Sequence, residues 1–281
     1  MAITAAQVKE LREMTGAGMM ECKKALTEAD ADMDKAGDLL REWGVAKVAT
    51  KAGRATNEGT VMAIVSEDGK QGAVIELNCE TDFVGMNEKF KGYAENIAKT
   101  VLAKKYNDVE AAKADEDIAA LITDCVHVMG ENTQLARVAY IESTGVCSYI
   151  HMGGKIGVLM QFDVEGIDPT AAEFVTYGRD VAMQVAAMSP VAPNRDAVPA
   201  DVVAKEMEIY KAQAAASGKP ENIQEKIATG RLEKYYAENC LTEQAFVKDG
   251  DKTIQSYTDE IAKQLGGSIK VVDFVRYALG E

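Results

Sequence analysis

Histidine is nearly absent: His127 and His151 are the only two in 281 residues. That leaves little material for an imidazole metal site or a Ser-His-Asp relay. No H-E-x-x-H occurs, and no serine stands in a G-x-S-x-G elbow. The Gly-Lys pairs at Gly69, Gly154 and Gly218 lack the upstream glycine of a phosphate loop. Gly16-Ala17-Gly18 opens as G-x-G, but Glu21 occupies the place of the third glycine, and a helix-to-helix turn accounts for it better. Asp30-x-Asp32-x-Asp34 imitates the start of a calcium loop, yet Lys35 replaces its glycine and Arg41 its bidentate glutamate. Helix-capping acids in a solvated turn are the simpler reading. No cofactor or metal is expected, and self-contained catalysis is not.

Positive charge is scarce as well. Lys and Arg number 31 against 45 Asp and Glu, a net charge of −14, which opposes broad binding to nucleic-acid phosphates. No apolar run approaches the ~18 to 20 residues of a membrane span. The start, Met1-Ala2-Ile3-Thr4, has no basic and apolar leader, so nothing marks export. Cys22, Cys79, Cys125, Cys147 and Cys240 form no C-x-x-C pair and are odd in number, as expected of small buried hydrophobes in a reducing, cytoplasmic setting. Hydrophobic residues make up 47% and charged ones 27%. At ~150 residues per domain the chain has room for about two domains.

Helical periodicity opens the chain. Thr4 and Gln7 have capping-box spacing, Val8 and Leu11 form an apolar edge, and Thr15-Gly16-Ala17-Gly18 ends the first helix. Met19-Met20 begins a second, and Asp32 to Trp43 supplies a third. Lys47 to Asn57 reads as a linker. Two β-rich runs, Val61 to Val65 and Ala73 to Cys79, flank the turn pair Asp68-Gly69. Helices about Asn87 to Ala103 and Val109 to Met129 follow, then a strand Arg137 to Glu142. The order recurs as strands Cys147 to His151 and Ile156 to Val164, then helix Thr170 to Met188. This predicts an α+β fold whose core has two similar halves. Pro190, Pro193 and Pro199 interrupt it. Beyond them, helices Ala200 to Ala216 and Glu221 to Ala237, joined by Ser217-Gly218-Lys219-Pro220, form an antiparallel hairpin about 25 to 30 Å long. A short strand-like run, a helix from Thr253 to Leu265 and a tail close the chain.

Two stretches carry a family resemblance. The run from Leu11 to Leu26, LREMTGAGMMECKKAL, resembles the amino-terminal signature of the bacterial elongation factor Ts family. Glu76 to Val84, ELNCETDFV, resembles its second signature, although Gly85-Met86 stands where the family usually has a small residue and a base. The resemblance implies a guanine-nucleotide exchange factor for elongation factor Tu, the GTPase that delivers aminoacyl-tRNA. It also implies a ubiquitin-associated-type three-helix domain (1–54), a two-part α+β core (55–142 and 143–186), a helical dimerisation hairpin (187–230), a return to the core (231–264) and a C-terminal helical module (265–281). A homodimer or 2:2 complex through the hairpin is part of that picture; direct nucleic-acid or membrane binding is not. The turn Thr81-Asp82-Phe83-Val84 would enter the partner near its magnesium and phosphate site, His151 would press on the same domain, and Arg12, Met19, Met20 and Lys23 would form the amino-terminal contact.

Each of these residues has a plainer reading. Phe83 can cap the core beneath its own helix, and Asp82 can be an N-cap. One of Met19 and Met20 belongs to the helical core, while adjacency puts the other on a different face. His151 at a strand end can be a hydrogen-bonded edge residue, and Arg12 and Lys23 solvated charges. The rival functional reading is an acidic helical adaptor or chaperone whose three-helix unit binds ubiquitin-like folds. A third is an unfamiliar enzyme using the 68–85 region.

Overall fold

The structure, a computed structural model, describes residues 3–216, 218 and 220–281, and the backbone alone for 45–49. Met1, Ala2, and two residues of the hairpin turn, Ser217 and Lys219, lie outside it.

Three helices come first: α1 (Ala5–Thr15), α2 (Met19–Glu28) and α3 (Met33–Lys51). Thr4 and Gln7 form the expected capping box on α1, and Gly16 closes it in the left-handed conformation. Leu11, Cys22, Ala25, Leu26, Ala36 and Leu40 make a core of their own. The expected linker at 47–57 is corrected in part: α3 runs on to Lys51. Ala, Lys and Val are compatible with a helix that nothing interrupts before Gly53.

Strands β1 (Glu58–Val65) and β2 (Gln71–Cys79) pair around Asp68-Gly69. A single turn, α4 (Asp82–Gly85), leads into α5 (Glu88–Lys104), α6 (Val109–Lys113), α7 (Glu116–Met129) and β3 (Gln134–Glu142). The helix expected over 109–129 is two helices, because Asp115 caps a new start by accepting from the backbone of Asp117 and Ile118. The second half has β4 (Gly145–His151), β5 (Ile156–Glu165) and α8 (Ala172–Met188). A hairpin of α9 (Ala200–Ala215) and α10 (Glu221–Asn239) follows, then β6 (Ala245–Phe246), β7 (Asp249–Thr253), α11 (Ile254–Leu265) and β8 (Ser268–Ala278).

Two antiparallel three-stranded sheets, β1-β2-β3 and β4-β5-β8, stack face to face with helices outside each. The period-two alternation of the strands dictates the layers. Ala73, Ile75 and Leu77 of β2 face α5 and α7, whereas Val74 joins Val61, Val146 and Leu159 between the sheets. Val158, Met160 and Phe162 of β5 face α8 and α11 in a core rich in rings, with Phe162 edge-on to Phe174 at 5.6 Å. Sheets approach closely at Gly157, where a Cβ would lie 2.4 Å from the side chain of Val61.

Two sequence expectations are overturned. The C-terminal segment 265–281 is no helical module: β8 is an eleven-residue strand completing the second sheet against β5. The second half is therefore open at residue 186 and closed only by the tail. The hairpin boundary at 230 falls inside α10, which continues to Asn239. The fold is mixed, with helices and antiparallel sheets. Among the described residues no helix is long and apolar enough to cross a membrane.

Candidate functional site

The segment after β2 turns sharply. Thr81 caps α4, its hydroxyl accepting from the Val84 N–H at 3.4 Å. Asp82 is exposed in the first turn and is not the cap. Phe83 is 80% exposed, so the capping of the core by its ring does not occur. Val84 instead packs inward, against the cluster that α5 covers. Gly85 is buried against β1, where a Cβ would lie 2.8 Å from the Gly59 carbonyl oxygen. The turn is thus pressed onto the start of the first strand, with the ring outward.

Several groups immobilise it. The Glu131 carboxylate, in the loop after α7, accepts from the Glu80 N–H, the Thr81 N–H and the Thr81 hydroxyl at 3.1, 3.0 and 2.7 Å. Beneath, the Cys79 thiol donates to the Thr81 carbonyl at 3.1 Å. Burial first, and the nearby Glu131 charge second, push that thiol up to about 12, so it stays protonated as a donor. Nothing local in the sequence marks Glu131, which meets Thr81 across 50 residues.

His151 ends β4, half-buried, with Nδ1 3.0 Å from the Tyr149 hydroxyl. That is the edge-residue arrangement, and it leaves the Nε2 side of the ring unaccounted for by this bond. Met152 follows at 72% exposure. The turn beyond it docks on β1: the Val61 N–H donates to the Gly154 carbonyl at 2.7 Å, and Lys155 pairs with Glu58 at 2.7 Å. The Phe83 turn and the His151 turn therefore rest on the same stretch of β1, residues 58–61.

Arg12, Met19, Met20 and Lys23 also come together. They line one groove of about 680 Å³ with Ile3, Thr4 and Val8. Both methionines are exposed, Met20 at 73%, so neither takes the core place expected of one of them; Cys22, Ala25 and Leu26 fill that role. None of residues 81–84, nor His151, lines this groove. Among the described residues, no group of three or more His, Cys, Asp or Glu side chains is arranged to hold a metal ion.

A mixed α/β chain with exposed apolar side chains on anchored turns has close relatives. A family model described as Elongation factor TS matches residues 80–281. Elongation factor Ts of Trichlorobacter lovleyi is 47% identical over 291 aligned positions, covering 100% of this chain and 94% of the relative. That of Clostridium botulinum (strain ATCC 19397 / Type A) is 47% identical over 99% of this chain and 93% of the relative. The Clostridium perfringens (strain SM101 / Type A) protein matches at 47% as well. The chain belongs to the elongation factor Ts family, a family of translation elongation factors.

Proposed function

We propose that the chain is a guanine-nucleotide exchange factor that binds elongation factor Tu and accelerates its release of GDP. The observation that carries this is Phe83: a phenyl ring 80% exposed on a turn anchored from three sides. An exposed ring held rigidly suits a pocket in a partner, as interface anchors do. Inserted near the partner's phosphate and magnesium site, with Asp82 beside it, the ring would displace packed helices and loosen the contacts to GDP. Factor and GDP then bind with negative coupling, and by reciprocity GTP expels the factor. This chain supplies no chemistry, only differential binding.

His151 extends the same contact from the neighbouring turn, and the groove of Arg12, Met19, Met20 and Lys23 makes a second one on the amino-terminal helices. We read those helices as a ubiquitin-associated-type module and the α9–α10 hairpin as the element that pairs two copies. The test is release of fluorescent GDP from elongation factor Tu. Acceleration that rises with added protein and saturates is expected. Release at the intrinsic rate at every concentration would overturn the proposal.

A further inference from the structure

A helical turn of four residues does not hold its own shape, since it lacks the length over which helix formation becomes cooperative. What holds the Phe83 turn lies at the far end of α7. This helix starts on the Asp115 cap and stops at Gly130 in the left-handed conformation. Lys51, the last residue of α3, donates to the Gly130 carbonyl. The next residue, Glu131, accepts the Glu80 and Thr81 N–H groups and the Thr81 hydroxyl on its two oxygens. The contact is returned: the Asn132 N–H donates to the Glu80 carboxylate at 2.6 Å, and the Asn132 amide to the Arg54 carbonyl at 2.8 Å. Arg54 sits 3.4 Å from Glu80 and offsets the charge of the two neighbouring carboxylates.

We propose that Glu131 is a positioning residue for Phe83. It acts through the turn and not on the partner, and this role rests on the exchange-factor reading above. The Thr81 hydroxyl explains the coupling. It donates a hydrogen bond to the carboxylate, and this orientation aims a hydroxyl lone pair at the Val84 N–H, so one hydroxyl is both clamped and capping. Bonds to an ionised acceptor are the stronger kind. A turn ordered before binding avoids the entropic cost of ordering during it.

The experiment pairs Glu131→Ala and Glu131→Gln with Phe83→Ala in the full chain. Amide hydrogen exchange at Glu80 and Thr81, stimulated GDP release and a thermal melt are measured for each. Glu131→Ala should speed exchange at these amides about tenfold while β5 amides stay protected, and should slow stimulated release about tenfold. Glu131→Gln, which keeps one carbonyl acceptor, should fall between wild type and Glu131→Ala in both. Once Phe83→Ala has removed the ring, adding Glu131→Ala should slow release by less than about twofold, because coupled residues are not additive. Full multiplication of the two losses, or unaltered amide exchange in both Glu131 variants, would overturn the positioning role. Wild-type stimulated release from Phe83→Ala alone would instead remove the anchor role of Phe83, and release at the intrinsic rate with the wild-type chain would overturn the exchange-factor reading; in either case the amide data would still report whether the clamp exists.

Discussion

Arg137 on β3 reaches Glu76 on β2 with its Nε at 2.6 Å, and with another nitrogen donates to the Ala278 carbonyl of β8 at 2.7 Å. Glu76 is buried. The pair ties the first sheet to the last strand of the second, and the Tyr277 ring packs beneath the guanidinium at 4.3 Å. The seam that closes the molecule is thus ionic at its edge and apolar within.

Removing one partner of such a pair leaves the other uncompensated. Glu76→Ala should cost about 3 kcal/mol, the low end for a buried pair because Arg137 keeps some access to water. At roughly 2 to 4 °C per kcal/mol, the melting temperature should fall by about 6 to 12 °C. Folded variant should still stimulate GDP release normally, since the bonds from Glu131 that hold the Phe83 turn involve neither Glu76 nor Arg137. A melt unchanged within 2 °C or so would mean that the seam is held by its apolar residues alone.

Acid should act on α7 through Asp115. Hydrogen bonding to Lys104 first, with help from Tyr106 and the Ile118 N–H, holds its carboxyl near 2, below the ordinary 3.8. A depressed folded value means that its stabilisation is complete above the ordinary value and is lost as pH falls through about 2. Asp115→Asn should therefore flatten the decline in melting temperature between about pH 4 and pH 2. An equally steep decline in the variant would assign the acid sensitivity to other carboxylates.

What the sequence disclosed depended on distance along the chain. The Thr4–Gln7 box and the Asp68-Gly69 turn lie within a few residues of their partners, and both are where the local pattern put them. The restart at Asp115 leaves little trace in the sequence, because a helix restarting after a five-residue helix keeps nearly the same apolar spacing. The tail departs from the helical module that the resemblance implies: Ile269 and Val271 alternate as a strand should, and what fixes them as one is β5, about a hundred residues upstream. At the site, the residues of the two signatures could be named, yet Glu131 could not. Its role is set by a hydrogen bond across 50 residues that no periodicity records. Exposure was likewise unreadable for Phe83, whose neighbour Val84 takes the buried place.

The hairpin touches the rest of the molecule mainly at its base. Val202, Val203, Tyr235 and Tyr236 pack with Ala192, Val198 and Cys240, and Arg195 pairs with Glu243 at 2.7 Å. Replacing residues 206–231 by a short turn keeps that base. The truncated chain should melt within a few degrees of the full one and lose any self-association seen by sedimentation velocity. An unfolded truncation would make the hairpin part of the core, and an unchanged oligomeric state would remove its pairing role.

Phe83 as a partner anchor is tested most directly by stimulated GDP release from elongation factor Tu with Phe83→Ala. A buried phenylalanine costs about 3 to 5 kcal/mol on truncation, whereas a ring 80% exposed should leave the melt unchanged. Loss of an interface anchor costs about 2 kcal/mol or more, some thirtyfold in affinity. Release should be slowed by that order at subsaturating factor, with an unchanged melt. Release at the wild-type rate would contradict it.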